Sequence, residues 1–304
     1  MEKIAKYLLR AVLLLFGKLP LKVHHFNAVW IAYLMRNVVR YRNDEVMINL
    51  SRSFPEKDYA SLKTIRDEYY LHLADVFVEA LWFGARTLDQ LHRSGIARIK
   101  NPEELCRLKA ISESVVVMST HCGNWEILGG AEAYDYSGQT PLITEKTLCM
   151  SYLAQPGKVW NEVLKANRLG PLHDPASVDG YMESHQVLRF MMKHCGEHRY
   201  FCMITDQRPY FNSPDYMHVE FMHQDCVTMY GAASVACKMS LPVVYQKMTV
   251  TGRGKYELEY VTICDNASTM SREAIMKRYY ELLEEQIRQQ PFNYLWTHRR
   301  WQKI

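Results

Sequence analysis

The chain has 304 residues, 48% of them hydrophobic, and a net charge of +4, enough for one large α/β domain whose core needs no disulfide staples. Its mild basicity, with a pI near 8.5, suits anionic lipid or an acidic carrier protein, and without a basic-aromatic motif nothing in it supports nucleic acid as a partner. Eight cysteines without paired spacings, several in apolar runs such as Phe201-Cys202-Met203-Ile204, argue for reduced thiols on the cytosolic side and against a secreted disulfide framework.

At the N-terminus, Lys3, Lys6 and Arg10 recur at helical spacing opposite Ile4, Leu8, Val12 and Leu15, the pattern of an interfacial helix. The longest uninterrupted apolar run, Ala11 to Phe16, falls far below the ~20 residues that span a bilayer. Gly17-Lys18-Leu19-Pro20 offers no small-x-small cleavage site. Residues 26–39 form a second apolar helical pattern, ending among Arg36, Arg40 and Arg42. Residues 1–42 therefore read either as a membrane-associated hairpin with its basic ends among headgroups or as a pair of buried core helices, with residues 43–304 as the main domain.

A break at Ser53-Phe54-Pro55 precedes a long helical pattern through Leu62, Ile65, Tyr69, Leu73, Val76 and Leu81. After Gly84 the pattern alternates. Strands are predicted near 114–119, 140–144, 199–204, 217–222, 241–250 and 255–264, and helices over 124–134, 150–168, 181–195 and 231–240. This predicts a mixed, mostly parallel sheet flanked by helices. The last two strands, joined by Thr251-Gly252-Arg253-Gly254, should form an antiparallel hairpin at one edge. An amphipathic helix near 271–290 then leads into Tyr294-Leu295-Trp296-Thr297-His298-Arg299-Arg300-Trp301.

The stretch with most chemical content is Ser119 to Glu126, where the run Val115-Val116-Val117 gives way to a turn. Positions five apart do not face each other on a helix, so His121 must sit in the turn to meet Glu126. In that placement His121 would be a general base oriented by Glu126. With 12 histidines and 33 acids, roughly one such spacing arises by chance, so context has to support it. Gly-x-Ser-x-Gly is absent, and Cys122 is too close in sequence to be activated by His121. Direct attack by a substrate hydroxyl whose proton His121 removes is the simpler chemistry. It needs neither a metal nor a cofactor. The sets Cys195, His198, Cys202 and His218, His223, Cys226 are only metal-like in spacing, and core or surface roles account for them better.

Thr120-His121-Cys122-Gly123-Asn124-Trp125-Glu126 resembles the His-x4-Asp/Glu block of the late acyltransferases of lipid A biosynthesis, within the lysophospholipid acyltransferase-like superfamily. Asn49-Leu50 with Ser53-Phe54-Pro55-Glu56, the helix from Tyr70 to Glu79, Ile204-Thr205-Asp206-Gln207-Arg208-Pro209 and the closing stretch from Tyr294 are similar to further blocks of that family, in order and over nearly the whole chain. The resemblance implies transfer of a fatty acyl group from an acyl carrier protein or CoA thioester to a hydroxyl of a glycolipid, a lipid A precursor, at the cytoplasmic face of the inner membrane. His121 and Glu126 are then the catalytic pair, and backbone N–H groups at the start of the helix after Gly123 are candidates to hold the oxyanion of that transfer. Asp206 and Gln207 line the site at a strand end, and Asn124 joins them as substrate-binding. Arg299 and Arg300, with Lys303, are candidates to hold acceptor phosphates, and Lys146 and Arg168 are candidates for the same work. Another acceptor lipid, or a non-catalytic lipid-binding protein of this fold, are the alternatives.

Overall fold

The computed structural model describes residues 2–153, 157–209 and 216–301, with the side chains of 2–8 and 158 excepted. Helices α1 (Glu2–Gly17) and α2 (Leu21–Tyr33) are separated by Pro20, and α2 runs on into a π-helical turn, Leu34–Val38. Next come α3 (Asn43–Ser53) and α4 (Tyr59–Phe83). The break at Ser53–Pro55 falls between them, but the start of α4 is set by Asp58, whose carboxylate accepts the Ser61 N–H at 2.9 Å. Along α2, His24, Ala28 and Ala32 form a buried stripe at four-residue spacing, and the small alanines bring this helix close against α4. The core-helix reading describes that stripe. The opposite face is apolar yet exposed, with Phe26 and Trp30 66% and 59% open to solvent, and Val39, just past the π-helical turn, is 69% open. Among the described residues no helix is long and apolar enough to cross a membrane.

The α/β body begins with α5 (Leu88–Ser94), β1 (Ala97–Ile99), α6 (Pro102–Ile111) and β2 (Val115–Ser119), after which a run of 3-10 helix covers Trp125–Tyr134. It continues through β3 (Leu148–Tyr152), α7 (Lys158–Arg168), β4 (Tyr181–Glu183), α8 (Val187–His194) and β5 (Tyr200–Ile204). It closes with the β6 (Met217–Phe221) and β7 (Gln224–Thr228) hairpin, α9 (Gly231–Met239), β8 (Val243–Gly252), β9 (Lys255–Cys264) and α10 (Arg272–Gln289). The main sheet has the order β1-β9-β8-β2-β5-β3-β4. All its pairings are parallel except β8 with β9. The expected mixed, mostly parallel sheet is therefore present, although the β8–β9 hairpin is not at the edge, because β1 pairs outside β9.

Every residue of β2 is buried, as a central parallel strand covered on both faces should be. Val116 and Met118 point into one core with Phe201, Val243 and Tyr245; Val115 and Val117 point into the other with Tyr200, Cys202 and Val244. The expectations for 140–195 fare worse. Residues 140–144 form no strand: the Thr144 N–H bonds Thr147 Oγ1 at 2.8 Å, and the hydroxyl of Thr147 donates back to the Leu142 carbonyl at 2.8 Å, closing a turn. The strand comes later, at Leu148–Tyr152, and runs into the start of the predicted helix, because pairing with β5 and β4 overrides the helical spacing. The predicted helix over 181–195 likewise opens as strand β4.

Candidate active site

At the C-terminal end of β2 the chain turns through His121 and Gly123, whose φ of +68° places it in the left-handed region. A Cβ there would meet the Met248 side chain at 2.4 Å, so the turn needs glycine for conformation and for close packing. β5 pairs with β2 in parallel, Ser119 opposite Ile204, and this register delivers Asp206 beside His121. The imidazole Nδ1 lies 2.7 Å from Asp206 Oδ1, and the His121 backbone N–H donates to Oδ2 at 3.0 Å. Burial alone would push the Asp206 carboxyl up. The His121 charge and hydrogen bonds, with His298 nearby, outweigh it and hold the group below the usual carboxylate range. The carboxylate can only accept, so Nδ1 carries a proton, and in the neutral ring Nε2 presents its lone pair to the Gln207 amide, 3.1 Å away.

Glu126 does not meet His121. Its two oxygens grip Arg168 at 2.7 Å each, Oε2 from Nε and Oε1 from Nη2. The orienting role expected of Glu126 is thereby corrected in favour of Asp206, which lies 85 positions away in sequence and against the imidazole in space. Arg168 lines the cleft, but Glu126 and the Tyr181 hydroxyl occupy its guanidinium. Asn124 is not part of the cleft wall: fully buried, it accepts the Glu126 N–H at 3.1 Å and donates to Glu79 at 2.8 Å. Of the backbone N–H groups expected after Gly123 as oxyanion donors, that of Asn124 is committed to Met248 Sδ and that of Glu126 to Asn124 Oδ1, while the Gly123 N–H itself goes to Asn293 Oδ1.

Other candidates are scattered. Lys146 is exposed and not part of the cleft wall. Arg299 reaches Glu45 at 3.4 Å on the surface. Arg300 is buried, donating to the Val227 carbonyl at 2.7 Å and to the Tyr280 hydroxyl at 2.5 Å, so it pins the closing segment instead of meeting a phosphate. Lys303 lies outside the described residues. Cys122 is buried, which pushes its thiol up and keeps it protonated. Among the described residues no three His, Cys, Asp or Glu side chains gather as a metal site.

His121, Trp125, Gln207 and Arg208 open onto a cleft of about 420 Å³, within the size range of small-molecule sites. Its walls are largely apolar, from Leu148, Met150 and Tyr152 on β3 to Leu188 on α8 and Met229 before α9. Trp125 stands edge-on to His121, ring centres 5.0 Å apart. A sequence model described as bacterial lipid A biosynthesis acyltransferase matches residues 1–154 and 159–303. The chain belongs to this family. The comparison with curated proteins returns no match. Membership in the lipid A acyltransferase family makes the chain an acyltransferase by class, with a lipid acceptor and an acyl donor. Sequence spacing missed Asp206 as the partner of His121 because the contact is long-range; the signal available was the polar pair Asp206-Gln207 ending an apolar strand.

Proposed function

We propose that this chain is an O-acyltransferase in which His121 acts as general base on an acceptor hydroxyl, moving a fatty acyl group from acyl carrier protein to a lipid A precursor at the cytoplasmic face of the inner membrane. The observation that carries it is the His121–Asp206–Gln207 cluster at the mouth of an apolar cleft. The acceptor hydroxyl takes the place of Gln207 at Nε2 and gives up its proton there as its oxygen attacks the thioester carbonyl. Asp206 stabilises the imidazolium that forms, and the Gln207 amide, freed by that exchange, is a donor for the oxyanion. Collapse of the tetrahedral species expels the thiolate, which takes the proton from His121. Apolar residues of the cleft shelter the acyl chain, while Glu126 and Arg168 brace one wall.

The exposed apolar face of α2 and the turn after it supports a membrane surface as the place of work. The test is transfer from an acyl carrier protein thioester to a tetra-acylated lipid A precursor by the purified full chain. His121→Ala should lower turnover by about 100-fold or more. Unchanged transfer in that variant would remove His121 from the mechanism.

A further inference from the structure

The sequence assigned acceptor recognition to Arg299, Arg300, Lys146 and Arg168, and the structure commits or displaces each of them. Among the described residues one further cation lines the cleft beside His121. Arg208 directly follows Gln207, lines the same cleft as His121 and is half-buried. Among the described residues it has no hydrogen-bond or ion-pair partner, whereas Arg168 in the same wall is held bidentately. The acids of the cleft offer it nothing, since Glu126 faces Arg168 and Glu145 accepts the His173 backbone N–H at 2.8 Å. A half-buried guanidinium over apolar walls has lost hydration without gaining a counter-ion, and its planar fork of donors matches a phosphate.

We infer that Arg208 is a specificity-determining residue that binds a phosphate ester of the acceptor lipid, fixing the headgroup so that its hydroxyl reaches His121 Nε2. The inference rests on the acyl-transfer reading and adds to it the group by which the acceptor is chosen. It also explains why so apolar a cleft keeps an uncompensated charge beside its base.

The experiment uses the full chain in mixed micelles with one acyl carrier protein thioester and two acceptors, a phosphorylated glycolipid and its dephosphorylated counterpart. Arg208→Gln should raise KM for the phosphorylated acceptor about 10-fold or more, with kcat close to wild type. KM for the dephosphorylated acceptor and for the donor should not change, and Arg208→Lys should restore part of the loss. A ratio of the two acceptor KM values equal in Arg208→Gln and wild type overturns the inference. A rise confined to the donor KM also overturns it, by placing the phosphate on the prosthetic arm of the carrier. Binding of both lipids without donor, followed by intrinsic fluorescence, separates the two readings. Loss of phosphate-dependent binding in Arg208→Gln upholds the site even if wild type transfers to neither lipid, a result that would sink only the acyl-transfer reading.

Discussion

At the scale of single residues, what distinguishes the site is how the two carboxylates near His121 divide their work. Asp206 holds both the imidazole and the backbone N–H of His121, whereas Glu126 is spent on Arg168. Their variants should therefore fail differently. Asp206→Asn should lower kcat by about 100-fold or more, because an amide no longer enforces the Nδ1–H tautomer or offsets the imidazolium, and steady-state kinetics will show it. Glu126→Gln leaves a guanidinium without its carboxylate and should remove roughly 1–3 kcal/mol of stability, seen as a lower thermal midpoint. Burial, the largest influence, pushes His298 down to about 4, so the fold holds it neutral where the unfolded chain would protonate it. Its contribution is complete above the ordinary histidine value of about 6.5 and is lost as pH falls from there to about 4. The depressed Asp206 carboxyl adds a second loss at lower pH, as the medium falls through its folded-state value. Urea midpoints measured from pH 7 to pH 4.5 should fall, and His298→Asn should flatten the upper part of that slope.

At the scale of elements, the strand–turn opening at Ser119, the β8–β9 hairpin and the long α4 were legible because each carries a local signal: a β-branched run, a Gly-rich turn, or apolar spacing sustained over several turns. Strand β3 was not, since Leu148 to Tyr152 becomes a strand only by pairing with β5 and β4. The same physics hid Asp206, because local spacing displays neighbours along the chain and this contact is set by sheet register. Arg300 misled for a related reason, since two adjacent arginines look alike in sequence while one is exposed and the other buried. Helix α2 was half legible: the apolar pattern read at 26–39 overlaps a helix that starts earlier, at Leu21, and only packing reveals which face meets α4. Its exposed side gives a prediction. Phe26→Ser with Trp30→Ser should weaken binding to vesicles of anionic phospholipid several-fold, read by co-sedimentation. The thermal midpoint should stay nearly constant, as for other surface substitutions. Removing residues 1–40 should instead cause aggregation, because it uncovers α4 and takes His25 from the buried Glu79 it contacts at 2.8 Å.

At the scale of the whole molecule, elements far apart in sequence meet around one carboxylate of α4. Glu79 is wholly buried and receives His25 from α2, Asn124 from the turn after β2 at 2.8 Å and the Tyr256 hydroxyl from β9 at 2.6 Å. Glu79→Leu should therefore be far more damaging than any surface change, costing about 3 kcal/mol or more through orphaned donors, and denaturant unfolding will measure it. The closing segment has an analogous role on the other side of the turn. Asn293 caps the Gly123 N–H, Tyr294 bridges to Cys122, and Arg300 locks the segment against Val227 and Tyr280. A chain still emerging from the ribosome holds His121 and Asp206 long before it holds these residues. The share of the turn's support that comes from Asn293 and Tyr294, unlike the share from Glu79, therefore cannot form until synthesis has passed those residues.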